Sequence, residues 1–184
     1  MINWSGLESK YKKYLKTVGI SNEGSENAKV IKTKAKVAKY LADEYEKAVK
    51  KGMEMYGNGV MKINKAPLEK AFKSAFSLME SGGPKSAAGM IMAGGFVACW
   101  TGGMMKMSVP PPPSTKVITN IVVFPGAPIP VSIGGPTDDA GALGGAIVKA
   151  AKAHAATVTG ICTSLVPVPL APPVPTPFPW AGIK

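Results

Sequence analysis

Arginine is absent from these 184 residues and histidine occurs once, so all 22 basic side chains are lysines and carry the net charge of +11. Tuned phosphate recognition favours arginine's bidentate fork, and lysine-only usage argues against it. An AT-rich genome would produce the same bias. Cysteine is nearly absent too. Cys99 and Cys162 lie in apolar surroundings without C-x-x-C spacing, which points to two buried free thiols in a reducing compartment, with a disulfide as the alternative. The first residues, MINWSGLESKYKKYL, lack the apolar run of a secretory leader, and the C-terminus carries no lipidation motif. Export by those routes is not expected.

Convergent polar groups are equally scarce. His154 lies one position from the apolar stripe of an alanine-rich helix, with no second histidine or acid four residues on, so it reads as a structural or surface residue and not as a metal ligand. Asp138 and Asp139 precede a helix and read as its cap, although adjacent carboxylates also occur in catalytic pairs. Gly134-Gly135-Pro136 and the run from Gly141 to Gly145 have the glycine content of phosphate loops without the strand–GxGxxG–helix spacing or the P-loop lysine. These glycines read as sites of tight packing. No nucleophile, base and charge stabiliser can be assembled, so neither an enzyme nor a cofactor is expected.

What the chain does hold is organised in two halves that meet near Gly82-Gly83-Pro84. Residues 1–85 contain 17 of the 22 lysines and 9 of the 11 acids, and read as a lysine-rich helical region. Ser5 and Glu8 have capping-box spacing, and Trp4, Leu7, Tyr11, Leu15 and Val18 recur at helical intervals before Gly19. A longer helix is expected from Ser25 to Tyr56, with Ile31, Ala35, Ala38, Leu41, Ala42, Tyr45, Val49, Met53 and Tyr56 on one stripe, stopped by Gly57-Asn58-Gly59. A third has Pro67 in its first turn and buries Leu68, Phe72, Ala75, Phe76 and Met79. The three suit a small antiparallel bundle.

Residues 86–109 read as a Gly/Met-rich helix, uncharged up to Lys106. Its first twenty residues are long enough to span a bilayer, but hold five glycines and no leucine, which favours a buried or oligomer-packed helix. Gly94, Ala98 and Gly102 then make a small-xxx-small row for close helix packing. Met90, Met92, Met104, Met105 and Met107 suit gap filling or an adaptable surface. Residues 110–163 open with the polyproline spacer Pro110 to Pro113. The strand candidate from Lys116 to Phe124 follows, with a short return from Ile129 to Ile133, and then a helix with Leu143, Ile147, Ala151, Ala155 and Val158 on its face. Residues 164–184, SLVPVPLAPPVPTPFPWAGIK, are saturated with proline and can form neither an ordinary helix nor a central strand. Their apolar side chains must still leave water. An extended arm that docks Val166, Val168, Leu170, Phe178 and Trp180 on a partner satisfies both conditions. The fold class is mainly α with a small β element and an extended C-terminal arm.

A helical region, then Gly95-Phe96-Val97-Ala98-Cys99-Trp100-Thr101-Gly102, polyproline, Asn120-Ile121-Val122-Val123-Phe124-Pro125-Gly126 and a proline-rich C-terminus follow one another in an order that resembles small virion proteins of large tailed bacteriophages. The resemblance covers about the last hundred residues and rests on composition and order. It implies a structural component of the tail, baseplate or neck, assembled in the host cytoplasm, present in several copies, interlocked with other structural proteins of the particle and without catalytic residues. A membrane-active protein with residues 86–105 inserted in a bilayer is the alternative. A third reading, polyanion binding, rests on the charge and on Tyr11, Tyr14, Tyr40 and Tyr45 among lysines, but those lysines alternate with glutamates as on solvated helix faces. Non-specific polyanion contact fits that pattern.

Overall fold

In the computed structural model, which describes residues 1–20, 30–106, 116–117, 120–124, 140–168 and 171–184, helix α1 (Trp4–Thr17) is capped by Asn3. The Asn3 Oδ1 accepts from the Gly6 N–H at 2.8 Å and from the Ser5 hydroxyl at 3.0 Å. The Ser5–Glu8 box therefore does not form the cap, because the helix starts at Trp4 and takes Ser5 inside it. Val18 turns extended and ends α1, and Gly19 lies in β1 (Val18–Ile20), which pairs in parallel with β2 (Val30–Lys32). Helix α2 (Lys34–Val49) is much shorter than the expected span. The β-branched Val30 and Ile31 take strand geometry, and Thr33 then caps the helix by accepting from the Lys36 N–H at 3.4 Å. Its inward face is Val37, Ala38, Leu41, Ala42, Tyr45 and Val49, whereas Ala35 is exposed.

After β3 (Gly59–Lys62) comes α3 (Lys65–Glu80), which buries Leu68, Ala71, Phe72, Ala75 and Phe76 much as its periodicity requires. Helix α4 (Lys85–Trp100) takes only part of the uncharged run. Gly102, at φ 72, makes a left-handed turn that a side chain would strain, and Gly103–Lys106 leaves as strand β4. The single long apolar helix is thereby corrected, and among the described residues no helix is long and apolar enough to cross a membrane. The strand candidate divides into β5 (Lys116–Val117) and β6 (Asn120–Phe124). The polyproline spacer, the return at Ile129 to Ile133, Met107 and the Asp138-Asp139 cap lie outside the described residues. Helix α5 (Ala140–Ala155) buries Leu143, Ile147, Ala151 and Ala155, as expected.

The chain is mainly helical, and its β element grows into one six-stranded sheet. Its order is β3-β4-β6, then β7 (Thr159–Val168), with β5 also on β7. Phe124 and Val123 pair with Thr159 and Gly160, while Lys116 and Val117 pair with Leu165 and Ser164, so β6 and β5 share one side of β7. The proline-rich segment supplies β8 (Ala171–Ala181), antiparallel along the other side of β7. The expected free arm is in fact an edge strand of its own sheet.

One buried cluster runs from Ile2 to Ile183 and joins all five helices to the sheet. The helices of the first half pack together, α2 against both α1 and α3, and the second half covers the outer two, with α5 on α1 and α4 on α3. Glycines make both contacts close. A Cβ at Gly144 would lie 3.0 Å from the Lys12 backbone nitrogen, and one at Gly95 would lie 2.5 Å from the Ala71 Cβ. At the centre the Trp100 indole N–H donates to the Tyr45 hydroxyl at 2.9 Å, and Phe96 meets Tyr45 and Phe72 edge-on. Tyr11 is equally buried and donates its hydroxyl to the Leu41 carbonyl. Cys99 is a free buried thiol, pushed far above its ordinary pKa by burial and so unreactive.

Within the chain the expected small-residue row does not make the close approach. A Cβ at Gly94 would meet nothing within 4 Å, and Gly102 lies beyond the helix. Gly94→Ala is therefore expected to stabilise the protein by about 0.5–1 kcal/mol through helix propensity, while Gly95→Ala loses about 1–3 kcal/mol by forcing α3 and α4 apart. Urea unfolding of the two variants checks this, and midpoints shifted in the same direction would contradict the packing described.

Candidate functional site

Between α2 and β3 lies a loop where a helix was expected to continue to Tyr56, with Met53 and Tyr56 on its stripe, before the stop at Gly57-Asn58-Gly59. The Glu54 carboxylate is buried within it and accepts from the Tyr56 and Asn58 N–H groups, both at 2.7 Å. Gly57, at φ 85, supplies the left-handed turn. A carboxylate fixed by two amides holds the loop in one shape, and this shape turns Met53 and Met55 outwards, the latter 64% exposed. The loop is also tied to the C-terminal strand. Met53 and Lys184 exchange two backbone hydrogen bonds of 2.9 Å, and the Tyr56 hydroxyl donates to the Pro179 carbonyl at 3.3 Å. Beneath it Ile2 and Ile183 close over Gly52, where a Cβ would meet both side chains.

Loop and hairpin together enclose an apolar groove of about 590 Å³ lined by Met55, Thr159, Gly160, Ile161, Pro179, Trp180 and Ala181. Behind it the Trp180 indole, 3% exposed, lies across Gly160 so closely that no Cβ fits there. Its rim is Met55 and Ile161, both exposed. Trp180 is thus an anchor of its own fold, which corrects its assignment as a free docking side chain. Val166 and Val168 lie in β7, where Val166 pairs with Val174 and Val168 with Ala171, and Phe178 lies in β8 opposite Cys162. Leu170 lies outside the described residues. Of the five arm residues only Trp180 lines the groove. Met53, Met55 and Ile161 were missed, although the alternation Met53-Glu54-Met55-Tyr56 is a period-two signal of the kind that places neighbours on opposite faces.

The lysine-coated helices present a different surface. Tyr11 and Tyr45 are core residues, and Tyr14 and Tyr40 stack on each other with centroids 3.7 Å apart, so the tyrosines read as interleaving with lysines serve packing. Lys10 and Lys47 both bind the buried Glu44 carboxylate at 2.6 Å. Lys65 spans Asp43 and Glu46, and Lys34 reaches Glu80. No group of His, Cys, Asp and Glu side chains able to hold a metal occurs among the described residues. Comparisons with protein-family models, with curated proteins and with solved structures give no match to this chain.

His154 belongs to the core, at 2% exposure, and among the described residues neither ring nitrogen has a hydrogen-bond partner. Burial holds its imidazole below the ordinary value. The unfolded chain, whose histidine titrates near about 6.5, then takes up the proton more readily than the folded one. Stability is full above that pH and falls as the pH drops through it. Burial raises the Glu44 carboxyl, but hydrogen bonds and charge from Lys10 and Lys47 outweigh it and leave the group below its ordinary value. Its contribution is present above the ordinary carboxylate range and is lost as the pH falls through the depressed pKa. The thermal midpoint is therefore expected to fall between about pH 7.5 and about pH 5, where histidine titrates and carboxylates do not. His154→Leu should flatten that slope, and a variant as pH-sensitive as the parent over this range would show that another group is responsible.

Proposed function

We propose that this chain is a non-enzymatic structural subunit of a particle, of the tail, baseplate or neck type that its order of segments resembles. In this reading it is present in several copies in the virion, after assembly in the host cytoplasm, and meets neighbouring structural proteins through the groove beside β8. The observation that supports the reading is the groove: an apolar opening, rimmed by exposed Met55 and Ile161 and held by the fixed loop around Glu54, on a chain whose helical first half is rich in lysine. Large apolar openings on a charged protein mark contact sites, and a flexible methionine rim adapts to its occupant. The uncharged middle contributes indirectly, by packing α4 against α3, and the lysines leave room for non-specific contact with polyanions.

Met55→Lys with Ile161→Lys places charge at the rim and leaves the buried residues untouched. The double variant should keep its circular dichroism and lose roughly tenfold or more of its incorporation, the size expected when anchors of an interface are removed. Incorporation is read by sedimenting particles without detergent and quantifying the chain by mass spectrometry. Incorporation at the parent's stoichiometry, or recovery of the parent chain in the membrane fraction, would overturn the reading.

A further inference from the structure

An edge strand presents free N–H and C=O groups to any other strand that approaches, and among the described residues β8 is such an edge, paired only with β7. In a strand the N–H and C=O of one residue point to the same side, and successive residues alternate between neighbour and outside. The phase of that alternation is fixed at the C-terminal end of β8. The Gly182 N–H donates to the Val158 carbonyl at 2.8 Å, just past the Ala181–Thr159 pair, so it points towards β7. Residues 180, 178, 176 and 174 therefore turn their backbone groups to β7, and 181, 179, 177 and 175 turn theirs away. The Pro179 carbonyl agrees with this phase, since it accepts from Tyr56, outside the β7 ladder.

The inward residues are Val174, Thr176, Phe178 and Trp180, all with an N–H to give. Of the outward ones, Pro175, Pro177 and Pro179 have none, and only Ala181, at the end of the strand, keeps an N–H. From Val174 to Trp180, beyond the register shift at Pro172-Pro173, proline thus occupies only positions where β7 needs no donor, and it removes the donors an incoming strand would need. Such a strand could still give its N–H groups to the outward carbonyls, but three of its own carbonyls would find no donor on β8. We propose that this proline register closes the outer edge of the sheet to strand addition and leaves a row of bare carbonyls that accept only side-chain donors, hydroxyl or ammonium groups, as Pro179 accepts Tyr56. The inference concerns the edge and stands or falls independently of the role in a particle.

The test restores the donors. Pro175→Thr, Pro177→Thr and Pro179→Thr together give every outward position an N–H on a residue that favours strands. The purified variant should show at least a doubling of weight-average mass over the parent in sedimentation velocity, rising with concentration. It should also gain the low-frequency amide I band of intermolecular strands, with the near-ultraviolet dichroism of its tryptophans retained. Pro177→Thr alone should move both readings in the same direction by less, and decides the matter if the triple variant does not fold. A folded variant with the parent's mass and the parent's infrared band would overturn the proposal.

Discussion

Strand β7 carries the constraint on which the rest of the sheet depends: it must be paired on both sides, and one of its partners has to be made from a segment with proline at every second position. That pairing works in a single phase. Shifted by one residue, β8 would turn its prolines towards β7 and offer it no N–H at all from Pro175 to Pro179. The phase that keeps the ladder also sets Trp180 opposite Gly160, the one residue small enough to take the indole. From there the end of the chain is drawn over Gly52, where Met53 and Lys184 exchange backbone bonds and the loop built on Glu54 is held against the hairpin. Register, indole and loop therefore depend on one another, and the groove is what they leave open.

The helices meet one another through close approaches at glycine. Gly144 lets α5 reach the backbone of α1, and Gly95 lets α4 reach Ala71 of α3. Around them sit the large residues, with Trp100, Tyr45, Phe96 and Phe72 in mutual contact. Close packing of this kind transmits small displacements. The buried polar groups differ in how they are met: Glu44 is engaged by lysines and Glu54 by backbone amides, whereas His154 is buried without a ring hydrogen bond among the described residues, and burial holds its imidazole below the ordinary value.

Much of the helical layer was legible in the sequence, because 3.6-residue periodicity is a local signal. Leu68, Phe72 and Phe76 in α3, and Leu143, Ile147 and Ala151 in α5, lie inside as their spacing requires. Boundaries were not legible where two local preferences compete. Val30 and Ile31 fit a helical stripe as well as a strand, and the pairing with Val18 and Gly19 decides for the strand. The run after Lys85 was apolar throughout and had no period to mark its end, so the exit at Gly102 into β4 depends on partners that are distant in sequence. For β8 the proline content excluded a central strand, which is correct, but the period-two spacing was not read as a match to one side of a ladder. The groove was legible only in part. Trp180 stood out as a large apolar residue, while Met55 and Ile161 owe their position to a loop fixed by a carboxylate and to a register that no local pattern displays.

Amide hydrogen exchange across residues 174–182, followed by NMR, tests most directly whether the proline-rich segment is an edge strand of its own sheet. Every amide that exists between Val174 and Trp180 belongs to an inward residue, so the account predicts slow exchange at Val174, Thr176, Phe178 and Trp180, and at Gly182 beyond them, with protection like that of the paired strand β7. Fast exchange at these five amides in a protein whose helices remain protected would contradict it, and would return the segment to a free arm.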